Sequence, residues 1–227
     1  MKSAVITFPG SNCDRDATDA LQKIGSKIQK VWHQEVRLDD DLDLIVVPGG
    51  FSYGDYLRSG AMAAISPVMQ EIKRLAAKGV KVLGICNGFQ ILTEAGLLPG
   101  VLLRNKNTKF ICREMTIRVE NSDSSFTKKY KKNQLIQIPI AHMDGNYFAD
   151  DETLRKLENE GMIAFRYADI DGSLSDESNP NGSLASIAGI FNEKRNVLGM
   201  MPHPERAIDG NTGSNDGLAM FEGLVIN

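Results

Sequence analysis

The chain has 227 residues, of which 42% are hydrophobic, and its formal net charge is −3. This length suits one large α/β domain or two small ones. No apolar run approaches the ~20 residues that span a bilayer, and the negative net charge argues against a nucleic-acid partner, which would require a basic face. The N-terminus leads directly into a strand without a signal-peptide pattern, and three widely spaced cysteines favour a cytoplasmic location over a disulfide framework or a zinc site.

Strands alternate with helices over the first hundred residues. Apolar runs predict strands at residues 3–7, 28–32 and 44–48. A helix between the first two is indicated by apolar residues at i, i+3, i+4 and i+7, which are Ala17, Ala20, Leu21 and Ile24. A second helix is predicted to begin with Ser66 as N-cap and Pro67 in the first turn, and to end at Gly79. The acidic run at residues 39–41 is interpreted as a solvated loop.

Residues 80–92 combine a strand, a sharp turn and a helix. The turn reads Gly-Ile-Cys-Asn-Gly at residues 84–88. A cysteine between two glycines at such a corner is typical of a nucleophile elbow, where the corner residue is strained and strand and helix approach closely. We therefore interpret Cys86 as a nucleophile at a helix N-terminus, which favours an anion. The alternative is a buried structural cysteine.

The second half of the chain is richer in strands. Shorter hydrophobic periods predict strands at residues 109–119, 134–141, 163–167, 184–191 and 197–201. A short helix is predicted before the strand at residue 163, and a C-terminal helix has its apolar face at Leu218, Phe221, Leu224 and Val225. Residues 169–182 are predicted to form a long exposed loop. The basic cluster at residues 128–132 is interpreted as a solvated loop, with a partner contact as the alternative.

This order of elements predicts an α/β fold. We expect a doubly wound, mostly parallel sheet flanked by helices, with a smaller β extension. No internal repeat or linker divides the chain, so residues 1–227 are predicted to form a single domain. Ligands of such sheets bind beyond the carboxyl ends of the strands, which is where Cys86 is expected to lie.

A nucleophilic cysteine requires a base, and the base requires an orienting acceptor. Among the three histidines, His33 is interpreted as a surface or loop residue, and His142 lies in a polar loop after a strand. His203 directly follows an apolar strand, and two prolines fix the backbone around it. Glu205 is near enough to orient its imidazole. Cys86, His203 and Glu205 are therefore the predicted nucleophile, base and orienting residue.

Residues 84–90 and the Pro-His-Pro-Glu run at residues 202–205 together resemble the class I (triad) glutamine amidotransferases, which implies their flavodoxin-like fold. Four further runs narrow the resemblance to the glutaminase subunits of phosphoribosylformylglycinamidine synthases. These runs are residues 8–14, 48–55, 109–113 and 201–206. The resemblance covers nearly the whole chain. One departure is His-Met-Asp-Gly-Asn at residues 142–146, where the family usually has His-Gly-Glu-Gly-Asn.

The resemblance implies hydrolysis of glutamine to glutamate and ammonia through a γ-glutamyl thioester. It assigns the triad to Cys86, His203 and Glu205. Backbone N–H groups of Gly50, in the glycine-rich loop at residues 48–55, and of Asn87 are implied to form the oxyanion hole; that loop taken alone would be a tight turn without a role. Gln90 and His142 are implied to contact the substrate, although a Gln90 that only caps the helix or faces solvent is the alternative. No metal site is implied.

Partners are implied as well. The chain lacks a phosphate-binding loop of the G-x-x-x-x-G-K-[S/T] type, and no cofactor is implied for it. ATP and magnesium would be used by a large ATP-dependent synthetase subunit, with a small third subunit bridging the complex. Ammonia would there convert formylglycinamide ribonucleotide to formylglycinamidine ribonucleotide in purine synthesis. The loops around Asn12, residues 51–53 and His142 are the candidate docking face, and neither nucleic acid nor membrane is an expected partner.

Two other classes of function stay open at this point. The chain could serve a different synthetase, such as those that make GMP, anthranilate or pyridoxal phosphate. It could also be a cysteine hydrolase of the DJ-1/PfpI type. Those hydrolases usually have a histidine directly after the elbow cysteine, whereas Asn87 follows Cys86 here. A scaffold that kept the fold without activity is disfavoured by the intact triad.

Overall fold

The computed structural model describes residues 1–210 and 213–225, and one large sheet lies at the centre of that part of the chain. In chain order the strands are β1 (Lys2–Thr7), β2 (Lys27–Trp32), β3 (Leu44–Val47), β4 (Lys81–Ile85), β5 (Val101–Leu103), β6 (Ile111–Val119), β7 (Leu135–His142), β8 (Asn146–Phe148), β9 (Ile163–Tyr167), β10 (Ile187–Phe191) and β11 (Val197–Met200). Nine of these described strands form the sheet in the order β2-β1-β3-β4-β11-β10-β9-β6-β7, and β5 pairs with β8 separately.

Helices cover the parallel part of this sheet. In chain order they are α1 (Asp14–Lys23), α2 (Ala61–Ala64), α3 (Pro67–Ala77), α4 (Asn87–Glu94), α5 (Asp151–Asn159) and α6 (Leu218–Val225). α1 packs on β1 and β2 and contacts α6, whereas α4 packs on β3, β4 and β11. The chain moves in opposite directions along the sheet through α1 and through α3, so right-handed crossovers place these helices on opposite faces. The doubly wound α/β fold is confirmed.

Strand pairing changes from parallel to antiparallel at β11. Strands β2, β1, β3, β4 and β11 pair in parallel, and the pairs beyond β11 are antiparallel. The smaller β extension is therefore the antiparallel end of the same sheet. All four residues of β3 are buried, as expected for a strand covered on both faces. Along β7 buried and half-buried residues alternate, as expected for a strand with one partly open face.

Two local predictions are confirmed only in part. His33 lies in the turn directly after β2, as predicted for a loop residue, but it is not on the surface. Its relative exposure is 6%, because its Nδ1 lies 2.9 Å from the hydroxyl of Tyr53 and its ring packs against Phe8 and Trp32. Ser66 occupies the N-cap position of α3 but makes no capping hydrogen bond, and its hydroxyl lies 3.2 Å from that of Tyr53 instead. In both cases the loop after β3 supplies a partner that the local sequence does not reveal.

Two loops predicted to be exposed each contain a buried residue, although the lysines at positions 128, 129, 131 and 132 are exposed as predicted. Asn181, at the end of the loop predicted to be exposed, is fully buried and donates from Nδ2 to the backbone oxygen of Gly145 at 2.8 Å. Tyr130, in the basic cluster, is buried and donates its hydroxyl to the backbone oxygen of Asp216 at 2.7 Å. The strand predicted to begin at residue 184 begins at Ile187, because Leu184–Ser186 form a 3-10 turn in which Ala185 has a φ of 51°.

The elbow glycines are required by the closeness of α4 to the sheet. A Cβ on Gly88 would lie 1.9 Å from the backbone oxygen of Val47, and a Cβ on Gly84 would lie 2.5 Å from Leu92 Cδ1. At such distances β3 or α4 would have to move. Gly84 and Gly88 therefore allow the close approach of strand and helix that the sequence predicted.

We expect Gly88→Ala to lower the free energy of unfolding by about 1–3 kcal/mol, the usual cost of an overpacked core. Urea unfolding followed by circular dichroism measures this change. Gly210→Ala is the matched control, because a Cβ there would meet no atom within 4 Å. Equal stability of the Gly88→Ala and Gly210→Ala proteins would contradict the prediction.

Candidate active site

Three neighbouring parallel strands carry the predicted site residues beyond their carboxyl ends. Gly50 follows β3, Cys86 follows β4 directly, and His203 follows β11. Because β3, β4 and β11 are adjacent and in parallel register, these three residues meet at one edge of the sheet. This is the place at which open α/β sheets bind ligands.

Cys86 has the strained backbone of a nucleophile elbow. Its φ of 51° and ψ of −105° are unusual for a residue with a Cβ. The strain is held by two backbone hydrogen bonds: the N–H of Cys86 donates to the oxygen of Met200 at 2.8 Å, and its oxygen accepts from the N–H of Gln90 at 3.2 Å. The side chain is buried at the N-terminus of α4, and Sγ lies 3.6 Å from the backbone oxygen of Ala141.

His203 and Glu205 form a buried pair. The backbone N–H of His203 donates to the oxygen of Pro139 at 2.8 Å, which ties the loop after β11 to β7. Imidazole Nδ1 donates to Glu205 Oε1 at 2.7 Å. That hydrogen bond leaves Nε2 as the nitrogen that can take or give a proton. Within the described residues Nε2 is buried and has no hydrogen-bond partner.

The surroundings of His203 favour its charged form. Burial lowers the pKa of His203, but the carboxylate of Glu205 and the thiol groups of Cys86 and Cys13 act against burial and raise the pKa well above its usual range. The imidazole is therefore held as an imidazolium beside the sulfur of Cys86. This arrangement is typical of a cysteine nucleophile paired with a histidine.

Backbone N–H groups of Gly50 and Asn87 flank Cys86. The N–H of Asn87 is the first in α4, where no helical acceptor exists. Gly50 has a φ of 148° and forms an antiparallel bridge with Ser11. On the same side, the backbone oxygen of Gly49 accepts from the N–H groups of Asn12 and Cys13, and the N–H of Phe51 donates to the oxygen of Gly10. Since such groups alternate in direction along an extended chain, the Gly50 N–H points away from Ser11.

Gln90 is already hydrogen bonded at both ends of its amide. Its Oε1 accepts from Asn87 Nδ2 at 2.8 Å, and its Nε2 donates to the backbone oxygen of Asp144 at 2.6 Å. Asn87 Oδ1 in turn accepts from the backbone N–H of Ser52 at 3.1 Å. These bonds connect the glycine-rich loop, the elbow and the loop after β7. The side chain of Asn87 therefore has a positioning role that the sequence did not suggest.

His142 lies behind the triad rather than in it. Its ring is buried, and Nδ1 lies 3.1 Å from Oδ1 of Asn105. Burial, with a smaller contribution from His203, lowers the pKa of His142 to about 4, so the ring is neutral at neutral pH. A small cavity of about 20 Å³ is lined by His142, Gln90 and Cys86 among others.

A larger cavity of about 230 Å³ opens onto the triad. It is lined by Cys86 and His203, by Gly50, and by Cys13 and Cys112 among others. Cys13 comes from the loop after β1, and no pattern in the sequence predicted a role for it. A larger groove of about 600 Å³ lies elsewhere, between α3, α5 and residues 192–194, and none of the predicted site residues lines it.

Asp55 lies beside the small cavity, and its negative charge is only weakly stabilised by neighbouring donors and cations. Burial and the neighbouring carboxylate of Asp144 raise the pKa of Asp55 to about 6, against smaller opposing effects of Ser59 and Arg104. The folded protein therefore binds this proton more tightly than the unfolded chain does. Asp55 stabilises the fold fully below the unfolded pKa, near 4, and that contribution is lost as pH rises through about 6.

We expect Asp55→Asn to raise the free energy of unfolding at pH 8 by about 1–2 kcal/mol, because the amide carries no charge. At pH 4 we expect little change. Urea unfolding at both pH values tests this, with Asp19→Asn, an exposed position on α1, as the control for loss of one negative charge. A stabilisation that is equal at pH 4 and pH 8 would count against the explanation.

Comparison with known proteins places this site in a family context. Residues 1–217 match the family model described as CobB/CobQ-like glutamine amidotransferase domain. The chain is 58% identical to a protein of Novosphingobium aromaticivorans named phosphoribosylformylglycinamidine synthase subunit PurQ. That alignment covers 98% of this chain and 96% of the relative. Within the described residues, no helix is long and apolar enough to cross a membrane.

Solved structures give a consistent result. The structure titled PurLQS from Thermotoga maritima contains a chain that superposes with a TM-score of 0.87 at 44% identity, covering 99% of this chain and 97% of that one. A glutaminase domain of Trypanosoma brucei CTPS with bound acivicin has a TM-score of 0.61 at 15% identity, covering 99% of this chain and 93% of that one. The second likeness concerns the fold alone.

Proposed function

Because the chain belongs to the CobB/CobQ-like glutamine amidotransferase family, we propose that it is the glutaminase subunit of a phosphoribosylformylglycinamidine synthase. It hydrolyses glutamine to glutamate and supplies the ammonia to a synthetase subunit. The observation that carries this proposal is the buried set of Cys86, His203 and Glu205 at the sheet edge. The 58% identity over nearly the full length of a relative with that name supports the choice of synthetase.

The reaction begins at the sulfur of Cys86. The thiolate attacks the side-chain amide carbon of glutamine, a C–S bond forms, and the amide π electrons move to the oxygen. When the tetrahedral intermediate collapses, the C–N bond breaks and His203 gives the Nε2 proton to the departing nitrogen, which leaves as ammonia. His203 then takes a proton from water as the water attacks the thioester. When this second tetrahedral intermediate collapses, the C–S bond breaks, glutamate leaves, and the sulfur departs as the thiolate beside the imidazolium of His203, which restores the starting state.

The negative oxygen of the tetrahedral intermediate requires donors that are already in place. We propose the backbone N–H groups of Asn87 and Gly50 for this role. Both flank Cys86 and come from segments held by the Asn87–Gln90 hydrogen bonds. The loss of one such donor typically lowers the rate about 10²–10³-fold.

Glutamine is proposed to occupy the two cavities that meet at Cys86. The larger one, about 230 Å³, has room for an amino acid, and the smaller one continues towards Gln90, His142 and Asp144. Gln90 acts there mainly by holding Asn87 and the backbone of Asp144 in position, since both ends of its amide are already hydrogen bonded to them. His142 contributes a neutral ring whose Nε2 has no partner among the described residues. At position 144 this chain has an aspartate where the family usually has a glutamate, so an acidic side chain is kept there.

The partner is proposed to be a large ATP-dependent synthetase subunit, which uses ATP and magnesium, joined by a small bridging subunit. The mouth of the cavity offers a fitting surface, since Phe51 and Phe110 are 43% and 45% exposed with ring centres 6.3 Å apart. Leu57, further along the same loop, is 74% exposed. Leu57→Arg should weaken association with the synthetase in size-exclusion chromatography, whereas Val36→Arg, equally exposed on another loop, should not. Equal binding by both variants would remove Leu57 from the docking face.

We also propose that residues 1–227 act as one domain in the cytoplasm. The main sheet continues without interruption from β2 to β7, so the described residues share a single framework. Limited proteolysis tests the first part, because two domains would yield two stable fragments. Fractionation of cells that produce the chain tests the second, and recovery with the membranes or outside the cell would contradict it.

The activity is tested by glutamate release from glutamine. The isolated chain should release glutamate slowly, and addition of the synthetase and the bridging subunit with ATP and the ribonucleotide should increase the rate. The synthetase that makes GMP, added instead, should have no effect. Stimulation by that enzyme would identify a different partner, and failure to release glutamate under every condition would contradict the proposed function.

A further inference from the structure

Hydrogen-bond acceptors collect in the lining of the small cavity beside Cys86. That cavity, of about 20 Å³, is lined by Asp55, His142 and Asp144 among others. Ser59 lies in the same lining, but its hydroxyl already donates to Asp144 Oδ2 at 3.0 Å. The bond-breaking steps proposed for glutamine hydrolysis use none of these three acceptors. Their presence at the cavity therefore calls for an explanation.

His142 presents an unprotonated ring nitrogen at this cavity. Its relative exposure is 2%, and Nε2 has no hydrogen-bond partner among the described residues. Asn105 lies behind the ring and outside the lining, and its Nδ2 donates to the backbone oxygens of Lys109 at 2.9 Å and of His142 at 3.0 Å. The Asn105 atom that lies 3.1 Å from His142 Nδ1 is therefore the acceptor Oδ1, so Nδ1 carries the proton. In the neutral ring, Nε2 is then an acceptor.

Asp55 adds an acceptor that can carry a negative charge. Its Oδ1 is buried and has no hydrogen-bond partner in the described part of the chain. The charge of Asp144, by contrast, is offset by Arg104, whose Nε donates to Asp144 Oδ1 at 3.0 Å. One carboxylate charge is thus left without a partner, and such a charge is costly to bury. A ligand group with one positive charge and several N–H donors would remove that cost.

We propose that Asp55 Oδ1 and His142 Nε2 bind the α-ammonium group of glutamine, beside the carboxylate of Asp144. An ammonium group supplies three N–H donors and a single positive charge. The cavity of about 20 Å³ has room for one water-sized group, and an ammonium is of that size. A metal ion fits less well, because these three side chains do not form a metal-binding group within the described residues.

The two cavities are placed so that one glutamine can enter both. Gly50, Phe51, Cys86 and Ala141 line the small cavity and the larger one alike. A glutamine whose amide carbon lies at the Cys86 sulfur can therefore extend its ammonium group into the small cavity. The proposal rests on the proposed glutaminase function and deepens it, because the subsite selects an amino acid over other primary amides. Asp55 weakens the fold without substrate, which is a common cost of residues that serve binding.

Glutaramic acid, which is glutamine without the α-ammonium group, tests the contact in the assembled enzyme. The unaltered chain should prefer glutamine by about 10²-fold or more in kcat/KM, measured as release of glutamate or glutarate. Asp55→Asn should lower kcat/KM for glutamine by about 10–100-fold, mainly through a higher KM, because a hydrogen bond to a charged group is weakened. With glutaramic acid the same variant should stay within about threefold of the unaltered chain, since that substrate has no ammonium group to lose.

Asp19→Asn is the matched control, because Asp19 is exposed on α1, and it should leave both substrates unaffected. Equal losses of Asp55→Asn on the two substrates would make Asp55 a structural residue and overturn the proposal. If the corner bound free ammonium instead, the preference for glutamine over glutaramic acid would be the same in Asp55→Asn as in the unaltered chain. That result would also overturn the proposal.

Binding to the full-length Cys86→Ala chain requires no turnover. Calorimetry should show glutamine bound at least about tenfold more tightly than glutaramic acid, and a further Asp55→Asn substitution should remove most of that difference. Equal affinities for the two compounds would contradict the subsite. If glutamine is never hydrolysed by the unaltered chain, the proposed function fails, while these affinities still decide whether an ammonium group is recognised.

Nitrogen NMR of the unaltered chain tests the state of His142 without any ligand. The ring should carry its proton on Nδ1 at neutral pH and have a bare Nε2, as the contact with Asn105 requires. A proton on Nε2 would remove the acceptor and contradict the site. Addition of glutamine to the Cys86→Ala chain should then shift the Nε2 resonance, whereas glutaramic acid should leave it nearly unchanged.

Discussion

Cys86→Ala is expected to abolish glutamine hydrolysis and to leave ammonia-dependent synthesis by the assembled enzyme intact. The alanine removes the sulfur that forms the thioester, and neither His203 nor the backbone donors can replace a nucleophile. Removal of the nucleophile from comparable triads lowers kcat by about 10⁴–10⁶-fold. Glutamate release and product formation from added ammonium, measured on the same complex, separate the two activities.

The matched control is Cys112→Ala, because Cys112 lines the same cavity but is exposed. Its glutaminase rate should stay close to that of the unaltered chain. Turnover by Cys86→Ala within tenfold of the unaltered rate would show that another group attacks glutamine. Loss of ammonia-dependent synthesis as well would instead show that the substitution disturbs the whole complex.

Glu205→Gln is expected to lower kcat by about 10²–10⁴-fold with little change in KM. An amide at this position is able to donate to Nδ1 and favour the wrong tautomer of His203, as in other triads that lose their acid. Loss of the carboxylate also removes the leading effect that raises the pKa of His203. The imidazolium then persists only to lower pH, so the alkaline limb of the kcat/KM profile should move to lower pH.

Glu193→Gln serves as the control for loss of a carboxylate, because Glu193 is exposed and pairs with Lys156 away from the site. Both kcat and the pH profile should be unchanged in that variant. An unaltered alkaline limb in Glu205→Gln would mean that Glu205 does not set the charge of His203. A loss confined to KM would make it a substrate-binding residue instead.

The parts of the site that could be predicted from the sequence are those whose structure depends on a few neighbouring residues. The Gly-Ile-Cys-Asn-Gly turn requires close packing of α4 on the sheet, and a Cβ on Gly88 would indeed meet Val47. The two prolines around His203 likewise mark a fixed loop. Adjacency in the sheet then brings Cys86 and His203 together, although they are 117 positions apart by number (203 − 86).

The features that the sequence did not predict depend on contacts between separate loops. The burial of His33 requires the hydroxyl of Tyr53, and the position of Cys13 beside His203 requires the fold of the loop after β1. Gln90 seemed equally suited to substrate or to a helix cap, and only the positions of Asn87 and Asp144 show how its amide is used. Local periodicity contains no information on such pairings.

Cys86 is the sulfur proposed to attack glutamine. A glutamine analogue with an electrophilic carbon in place of the side-chain amide tests it most directly, with the modified residue located by peptide mass spectrometry. We expect one adduct per chain, on Cys86, and we expect its formation to slow when glutamine is present. An adduct on Cys13 or Cys112 with Cys86 left free would contradict the assignment.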